Sequence, residues 1–159
     1  MADATARTRF ASEVKKIIEQ YDFDGVDFDF EWPTNTNEFN NYSATVIQMR
    51  STLGKYVYFT ASLHPVSFKI SPEAIDALDF ISYQCYGPAV MRFPYEQFVK
   101  DGEMAITYGI PKNKLVMGVP FYGSTGSLIA AYYDFVMTVW LLRLRIHIHI
   151  KEIHILSTV

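Results

Sequence analysis

Residues 24–33 read DGVDFDFEWP, and this stretch determines how the rest of the chain is interpreted. Acidic and apolar residues alternate in it, and a period of two is typical of a β-strand, whose successive side chains point to opposite faces. One face would be apolar and covered by helices, and the other would be acidic. The apolar members are Val26, Phe28 and Phe30. The acidic members are Asp27, Asp29 and Glu31.

The acidic face indicates acid–base chemistry. Three neighbouring carboxylates repel one another and would titrate as a coupled set, in which one member stays protonated near neutral pH and can act as a general acid. Glu31 lies at the C-terminal end of the predicted strand, the end at which parallel α/β barrels keep their catalytic groups. We therefore expect Glu31 to be the acid, with Asp29 and Asp27 assisting it.

Two other interpretations of these acids are a solvated strand edge and a metal site. A solvated edge does not explain the bulky residues on the opposite face. A calcium loop carries its glycine in a tight turn among the acids, whereas Gly25 precedes them. We therefore predict no metal and no cofactor.

The same stretch matches the pattern Asp-Gly-x-Asp-x-Asp-x-Glu in full, and the aromatic-Pro pair Trp32-Pro33 follows it. It resembles the signature of family 18 glycoside hydrolases, the chitinases and their relatives, where it forms the fourth strand of a (β/α)₈ barrel. Residues 55–65, 79–87 and 114–123 resemble the fifth, sixth and seventh strands. The resemblance implies an α/β fold, a TIM barrel of the family 18 type, with residues 1–126 covering about strands four to seven. A complete barrel takes about 250 residues, so 159 residues hold an incomplete one.

The resemblance also implies a reaction: hydrolysis of β-1,4 links beside N-acetylglucosamine, retaining and assisted by the substrate's own acetamido group. In that scheme Glu31 donates the proton, and Asp29 holds the acetamido N–H. Asp27 shares a proton with Asp29, and Tyr83 donates its hydroxyl to the acetamido oxygen. Four further residues are expected to contact the sugar: Trp32, Gln84, Tyr86 and Tyr122. Gln84 occupies a position at which the family usually has an acid.

The expected partner is chitin or another oligosaccharide that contains N-acetylglucosamine. An endo-β-N-acetylglucosaminidase acting on glycans, a chitin-binding module without catalysis and an inactive fragment are the alternatives. Lectin-like members of the family lose the acid, and here Glu31 is present. The open edges of an incomplete barrel are expected to favour self-association. Family members are commonly extracellular, although residues 1–7 lack the apolar core of an export signal.

Composition excludes several other function classes. The net charge is −3 and both signs are interspersed, which argues against a nucleic-acid or anionic-membrane surface. Aromatic residues make up 16% of the chain, which suits a sugar-binding groove, although barrel cores also use aromatic residues. The single cysteine, Cys85, excludes an internal disulfide. Residues 128–142 are almost wholly apolar, interrupted by Asp134, and are fewer than the ~20 residues of a membrane span.

Between these strands the sequence predicts helices at 8–21, 38–53, 72–77 and 94–108, so strands and helices alternate as in parallel α/β proteins. Residues 127–159 have a different character. Residues 143–150 alternate strictly between polar and apolar residues. Residues 135–140 weakly resemble the family's eighth strand, which usually ends in a Trp, here Trp140. Zinc binding by His147, His149 and His154 is one interpretation. Low-complexity sequence is a better explanation, and a mis-translated or truncated product is the simplest.

Overall fold

The computed structural model describes residues 2–86, 95–119, 123–125 and 128–130. In this part of the chain, strands and helices alternate up to residue 118 as the sequence predicts. The helices are α1 (Ala4–Tyr21), α2 (Thr36–Leu53), α3 (Pro72–Ala77) and α4 (Tyr95–Tyr108), with a 3₁₀ turn at Lys112–Lys114. The strands are β1 (Gly25–Asp29), β2 (Tyr58–Leu63), β3 (Ile81–Gln84), β4 (Leu115–Gly118), β5 (Gly123–Thr125) and β6 (Leu128–Ala130).

The first four strands form one parallel sheet in the order β1-β2-β3-β4. Each successive pair is joined by a helix, so the sheet consists of three consecutive βαβ units. Strands β5 and β6 form a separate antiparallel pair, with Gly123 opposite Ala130. Within the described residues β1 and β4 have one strand neighbour each. Self-association through those edges stays a prediction.

Local side-chain caps determine where the helices begin. The Ser71 hydroxyl accepts a hydrogen bond from the Ala74 N–H, and Pro72 occupies the first turn, as the sequence predicts for α3. Helix α2 ends at Gly54, whose φ of 80° suits glycine. Helix α1 begins at Ala4 rather than at the predicted residue 8, because the Asp3 side chain caps it by accepting from the Thr5 N–H.

The hydrophobic core lies between one face of the sheet and the helices. Phe28 of β1 packs between two rings, 6.1 Å from Phe10 of α1 and 5.0 Å from Tyr42 of α2 between ring centroids. Val26 is also packed against this core, as the alternation predicts. Phe30 differs from the prediction: strand β1 ends at Asp29, and the Phe30 side chain is 41% exposed.

Arg50 ties helix α2 to the ends of neighbouring elements. Its guanidinium lies 5.5 Å from the centre of the Phe59 ring and pairs with Asp79 at 2.7 Å. The same Asp79 oxygen accepts the Phe59 N–H at 2.7 Å, so one ion pair joins α2, β2 and the segment before β3. Arg50 donates to the carbonyl oxygens of Gly54, Val57 and Ala77 and to the carboxylate of Asp79.

Candidate active site

The acidic face of the sheet is the face opposite the helices. In the register of β1 with β2, Asp27 lies opposite Thr60 and Asp29 lies opposite Ser62. Asp27 and Asp29 therefore project from strand β1 on the side away from Phe28. Glu31 follows two residues after the strand has ended, and its side chain is exposed at the carboxyl edge of the sheet. This edge is where the sequence predicts the acid.

Two hydroxyl groups of strand β2 hold Asp27. The Thr60 hydroxyl donates to Oδ1 of Asp27, and the Ser62 hydroxyl donates to Oδ2 at 2.8 Å. Thr60 and Ser62 are both buried, so the two donors that hold the Asp27 carboxylate are shielded from solvent. The predicted sharing of a proton between Asp27 and Asp29 stays a prediction, because in this structure both oxygens of Asp27 accept hydrogen bonds from β2.

Gln84 of β3 reaches Asp29 of β1 across the one intervening strand, β2. Ser62 lies opposite Ser82, and Gln84 is two residues further along β3, hence on the same face of the sheet. Its amide nitrogen lies 3.4 Å from Oδ2 of Asp29, which is a long hydrogen bond. The Oδ1 atom of Asp29 is buried. Gln84 thus contacts a predicted catalytic carboxylate.

Tyr83 does not lie with the acids. In the register it is opposite Leu63, and it belongs to the hydrophobic core on the helix side of the sheet. Its ring packs edge-on against Phe68, with centroids 5.7 Å apart, and it is completely buried. The role predicted for Tyr83, donation of its hydroxyl to the acetamido oxygen of the substrate, therefore does not agree with this position on the core side of the sheet. Successive strand residues point to opposite faces, so Gln84 and Tyr83 cannot both face the acids.

Of the tyrosines in the described segments, Tyr86 is one that lies on the acidic face. Gly118 of β4 lies opposite Gln84, so a side chain at residue 118 would point to that face. A Cβ atom added there would come within 3.2 Å of Cε1 of Tyr86. The ring of Tyr86 therefore covers Gly118, and it is partly exposed at the carboxyl edge of the sheet.

Trp32 lies at the same edge, in the segment that follows Glu31. The Glu31–Trp32 peptide bond is cis. The indole ring contacts His64, the residue after β2, with centroids 4.9 Å apart. The next residues enter α2 through a polar cap, in which Glu38 accepts from both the N–H and the hydroxyl of Thr34. These hydrogen bonds, the backbone one first, lower the pKa of the Glu38 carboxyl below its usual value.

Tyr42 lies beneath the acids on the helix side, and its hydroxyl donates to the Phe28 carbonyl oxygen at 3.2 Å. Burial, and then the charges of Asp27 and Asp29, raise the pKa of the Tyr42 hydroxyl well above its ordinary value. Tyr42 therefore stays protonated and holds the backbone of β1 between the two acids. It supports the strand that carries them.

Sequence reasoning missed Thr60, Ser62 and His64. A signal for the hydroxyls was present, because Thr60 and Ser62 alternate in the predicted strand with the same period as the acids. Their meaning depended on the register with β1, which the sequence alone does not specify. Tyr122, Trp140 and the three histidines of the zinc interpretation lie outside the described residues.

In the described part of the chain, no three His, Cys, Asp or Glu side chains form a group that could hold a metal ion. None of the helices described is both long enough and apolar enough to cross a membrane.

Residues 1–134 match the model of the family described as Glycosyl hydrolases family 18. Over 155 residues the chain is 28% identical to Probable chitinase 2 of Drosophila melanogaster, covering 82% of this chain and 32% of that protein. It is 28% identical to Nod factor hydrolase protein 1 of Medicago truncatula, covering 80% of this chain and 41% of that protein. The chain thus spans between about a third and two fifths of the length of these curated relatives.

Solved structures confirm the fold. The chitinase domain of the spore coat protein CotE from Clostridium difficile superposes with a TM-score of 0.71 at 20% identity, over 84% of this chain and 48% of that chain. The GH18 chitinase ChiB from Flavobacterium johnsoniae superposes with a TM-score of 0.69 at 25% identity, over 82% and 46%. A mutant GH18 chitinase from Cycas revoluta, in complex with (GlcNAc)4, has a TM-score of 0.70 at 17% identity, over 87% and 54%. The four parallel strands are thus part of a TIM barrel.

Proposed function

This chain belongs to the glycosyl hydrolases family 18, and we propose that it carries the acid side of a chitinase-type active site, which cleaves β-1,4 linkages beside N-acetylglucosamine. One arrangement supports this most strongly: Asp27 and Asp29 share the face of β1 opposite the core, and Glu31 follows at the carboxyl edge of the sheet. Chitin or a related oligosaccharide is the proposed partner. An extracellular site of action stays an expectation from the family.

Glu31 is the proposed proton donor. Its exposure at the edge of the sheet leaves it accessible to the oxygen of a glycosidic bond. In the substrate-assisted scheme the acetamido carbonyl oxygen attacks the anomeric carbon while Glu31 gives its proton to the leaving oxygen. Water then opens the oxazolinium ring, and Glu31 takes back a proton. The anomeric configuration is retained because the carbon is inverted twice.

Asp29 is the proposed partner of the acetamido N–H, and its negative charge would offset the positive charge that develops on the ring. Asp27 lies two residues before Asp29 on the same face of β1, and its proposed role is to position Asp29. Thr60 and Ser62 hold Asp27 in place, so the orientation of the Asp27 carboxylate is determined before substrate binds. Gln84 adds an amide donor beside Asp29 that can bind sugar but cannot ionise.

Tyr86 takes the role that the resemblance implied for Tyr83. It lies on the acidic face, is partly exposed and ends in a hydroxyl that can donate to the acetamido oxygen. Trp32 offers an aromatic ring at the same edge for stacking on a sugar. The proposed role of Tyr122 as a further sugar contact is carried over from the sequence.

Removing the two hydroxyls separately tests which tyrosine acts. Tyr86→Phe is expected to lower turnover of a fluorogenic chitobioside about a hundredfold, the loss typical of one donor to a developing charge. Tyr83→Phe serves as the matched control and is expected to keep turnover within about threefold, because its ring belongs to the core. A larger loss in Tyr83→Phe than in Tyr86→Phe would contradict the assignment.

Product analysis tests the substrate class. The chain is incubated with chitotetraose and, separately, with a glycoprotein that carries N-linked glycans, and the products are separated by chromatography. Cleavage of chitotetraose to two molecules of chitobiose, or to chitotriose and N-acetylglucosamine, is expected, with the glycoprotein intact. Release of glycan without cleavage of chitotetraose would favour an endo-β-N-acetylglucosaminidase instead. Binding of chitotetraose without any cleavage would favour a binding module.

A further inference from the structure

His64 occupies a place in this site to which the proposed reaction assigns no role. It follows directly after strand β2, at the carboxyl edge of the sheet, and only 1% of it is exposed. Buried histidines are held by specific partners. The partners of His64 come from three different segments: its own turn, the segment after β1 and the segment after β3.

The hydrogen bonds of the imidazole specify its tautomer. Nδ1 lies 3.2 Å from the backbone nitrogen of Val66, which can only donate, so Nδ1 is an acceptor. Nε2 therefore carries the hydrogen and donates it to the carbonyl oxygen of Tyr86 at 2.8 Å. The ring is thus a bridge from the turn after β2 to the backbone of Tyr86.

The same ring also touches the segment that follows Glu31. The indole of Trp32 lies against it, with centroids 4.9 Å apart. A hydrogen bond between the same two segments supports this ring contact: the hydroxyl of Ser67 donates to the carbonyl oxygen of Pro33 at 2.7 Å. The turn at 64–67 is closed by the N–H of Ser67, which donates to the His64 carbonyl oxygen at 2.7 Å. His64 therefore joins the ends of β1, β2 and β3.

From these contacts we infer that His64 is a positioning residue: it fixes the backbone of Tyr86 and the indole of Trp32 relative to each other. Its ring does not enter the chemistry. It keeps the distance fixed between Tyr86, which follows β3, and the segment after β1 that carries Glu31. The effect of this role on catalysis rests on the proposed function. The contacts of His64 with Tyr86 and Trp32 are structural and can be tested without substrate.

A pair of amide substitutions separates the two hydrogen bonds. In His64→Asn, the amide oxygen can take the place of Nδ1 and accept from Val66, as in an Asx turn, but the side chain is too short to reach Tyr86. In His64→Gln, the amide nitrogen can take the place of Nε2 and donate to the Tyr86 carbonyl. The first variant cuts the bridge, and the second retains it.

Cys85 provides the readout. It is the single cysteine of the chain, it precedes Tyr86, and it is buried. Loss of the bridge is expected to raise the rate at which Cys85 reacts with a thiol reagent (DTNB) about tenfold in His64→Asn, the ratio that corresponds to one hydrogen bond. His64→Gln is expected to stay within about twofold of the unsubstituted chain. Equal rates in the two variants, whether raised or unchanged, would overturn the inference.

A control distinguishes local loosening from general loss of stability. Arg50→Lys weakens the tie at the other end of β2 and should leave Cys85 more protected than His64→Asn does, when the comparison is made at matched free energy of unfolding. Equal reactivity in these two would mean that the whole domain opens, and would overturn the inference. Turnover adds the catalytic test: kcat is expected to fall about tenfold in His64→Asn with KM little changed, and to recover in His64→Gln. If Cys85 behaves as expected but Glu31→Gln keeps full turnover, the bridge stands and the proposed function fails.

Discussion

Replacing Glu31 by Gln is expected to lower the hydrolysis of chitotetraose about a thousandfold, within the range that a positioned general acid contributes. Gln has the same shape and can still hydrogen-bond the glycosidic oxygen, but it has no proton to give. The segment that carries Glu31 lies outside the sheet and the side chain is exposed, so the substitution should leave the fold unchanged. The rate of oligomer loss, followed by chromatography, measures the effect.

Glu73→Gln is the matched control for that experiment. Glu73 is an exposed acid in the first turn of helix α3. The same change of a carboxylate to an amide there should leave turnover within about twofold, because surface substitutions away from a site have small effects. Unchanged turnover in Glu31→Gln would mean that another residue supplies the proton.

Replacing Arg50 by Ala is expected to lower the free energy of unfolding by about 3 kcal/mol, the scale of breaking a partly buried, hydrogen-bonded ion pair. The guanidinium donates to three carbonyl oxygens and to Asp79, and the side chain keeps only 20% of its surface exposed. Its removal leaves the Asp79 carboxylate without its ion-pair partner beside the Phe59 N–H. Urea unfolding followed by circular dichroism measures the loss.

Lys15→Ala removes an ion pair of a different kind and serves as the comparison. Lys15 pairs with Glu19 one helical turn away at 2.6 Å, and both side chains are largely exposed. Exposed pairs of this kind contribute about 0–1 kcal/mol. A loss in Arg50→Ala no larger than in Lys15→Ala would show that the contacts of Arg50 do not hold the elements together.

The sequence predicted the order of the elements well because its period changes clearly from strand to helix. Alternation over residues 25–29 and the Ser71-Pro72 helix start are local signals, and both agree with the structure. The start of α1 was placed too late because the apolar stripe begins at Phe10, whereas the cap at Asp3 determines the first turn. Phe30 was placed in the strand because the alternation of the sequence continues beyond the last residue that pairs with β2.

The acids could be identified from the sequence, but their neighbours could not. Tyr83 and Tyr86 are three residues apart, and only the pairing of β3 with β2 and β4 shows that Tyr83 lies on the face opposite Asp29. A shift of one residue in register exchanges the two faces of a strand. Thr60, Ser62 and His64 act through contacts with residues more than 20 positions away, and no local pattern predicts such pairs.

The most direct test of the proposed acid compares Glu31→Gln on two substrates that differ only in the leaving group. The dinitrophenolate of a dinitrophenyl chitobioside leaves without a proton, whereas the leaving sugar of chitotetraose needs one. If Glu31 is the proton donor, the substitution should reduce cleavage of chitotetraose about a thousandfold and cleavage of the dinitrophenyl glycoside by a far smaller factor. Equal losses on the two substrates would contradict the assignment of Glu31 as the general acid.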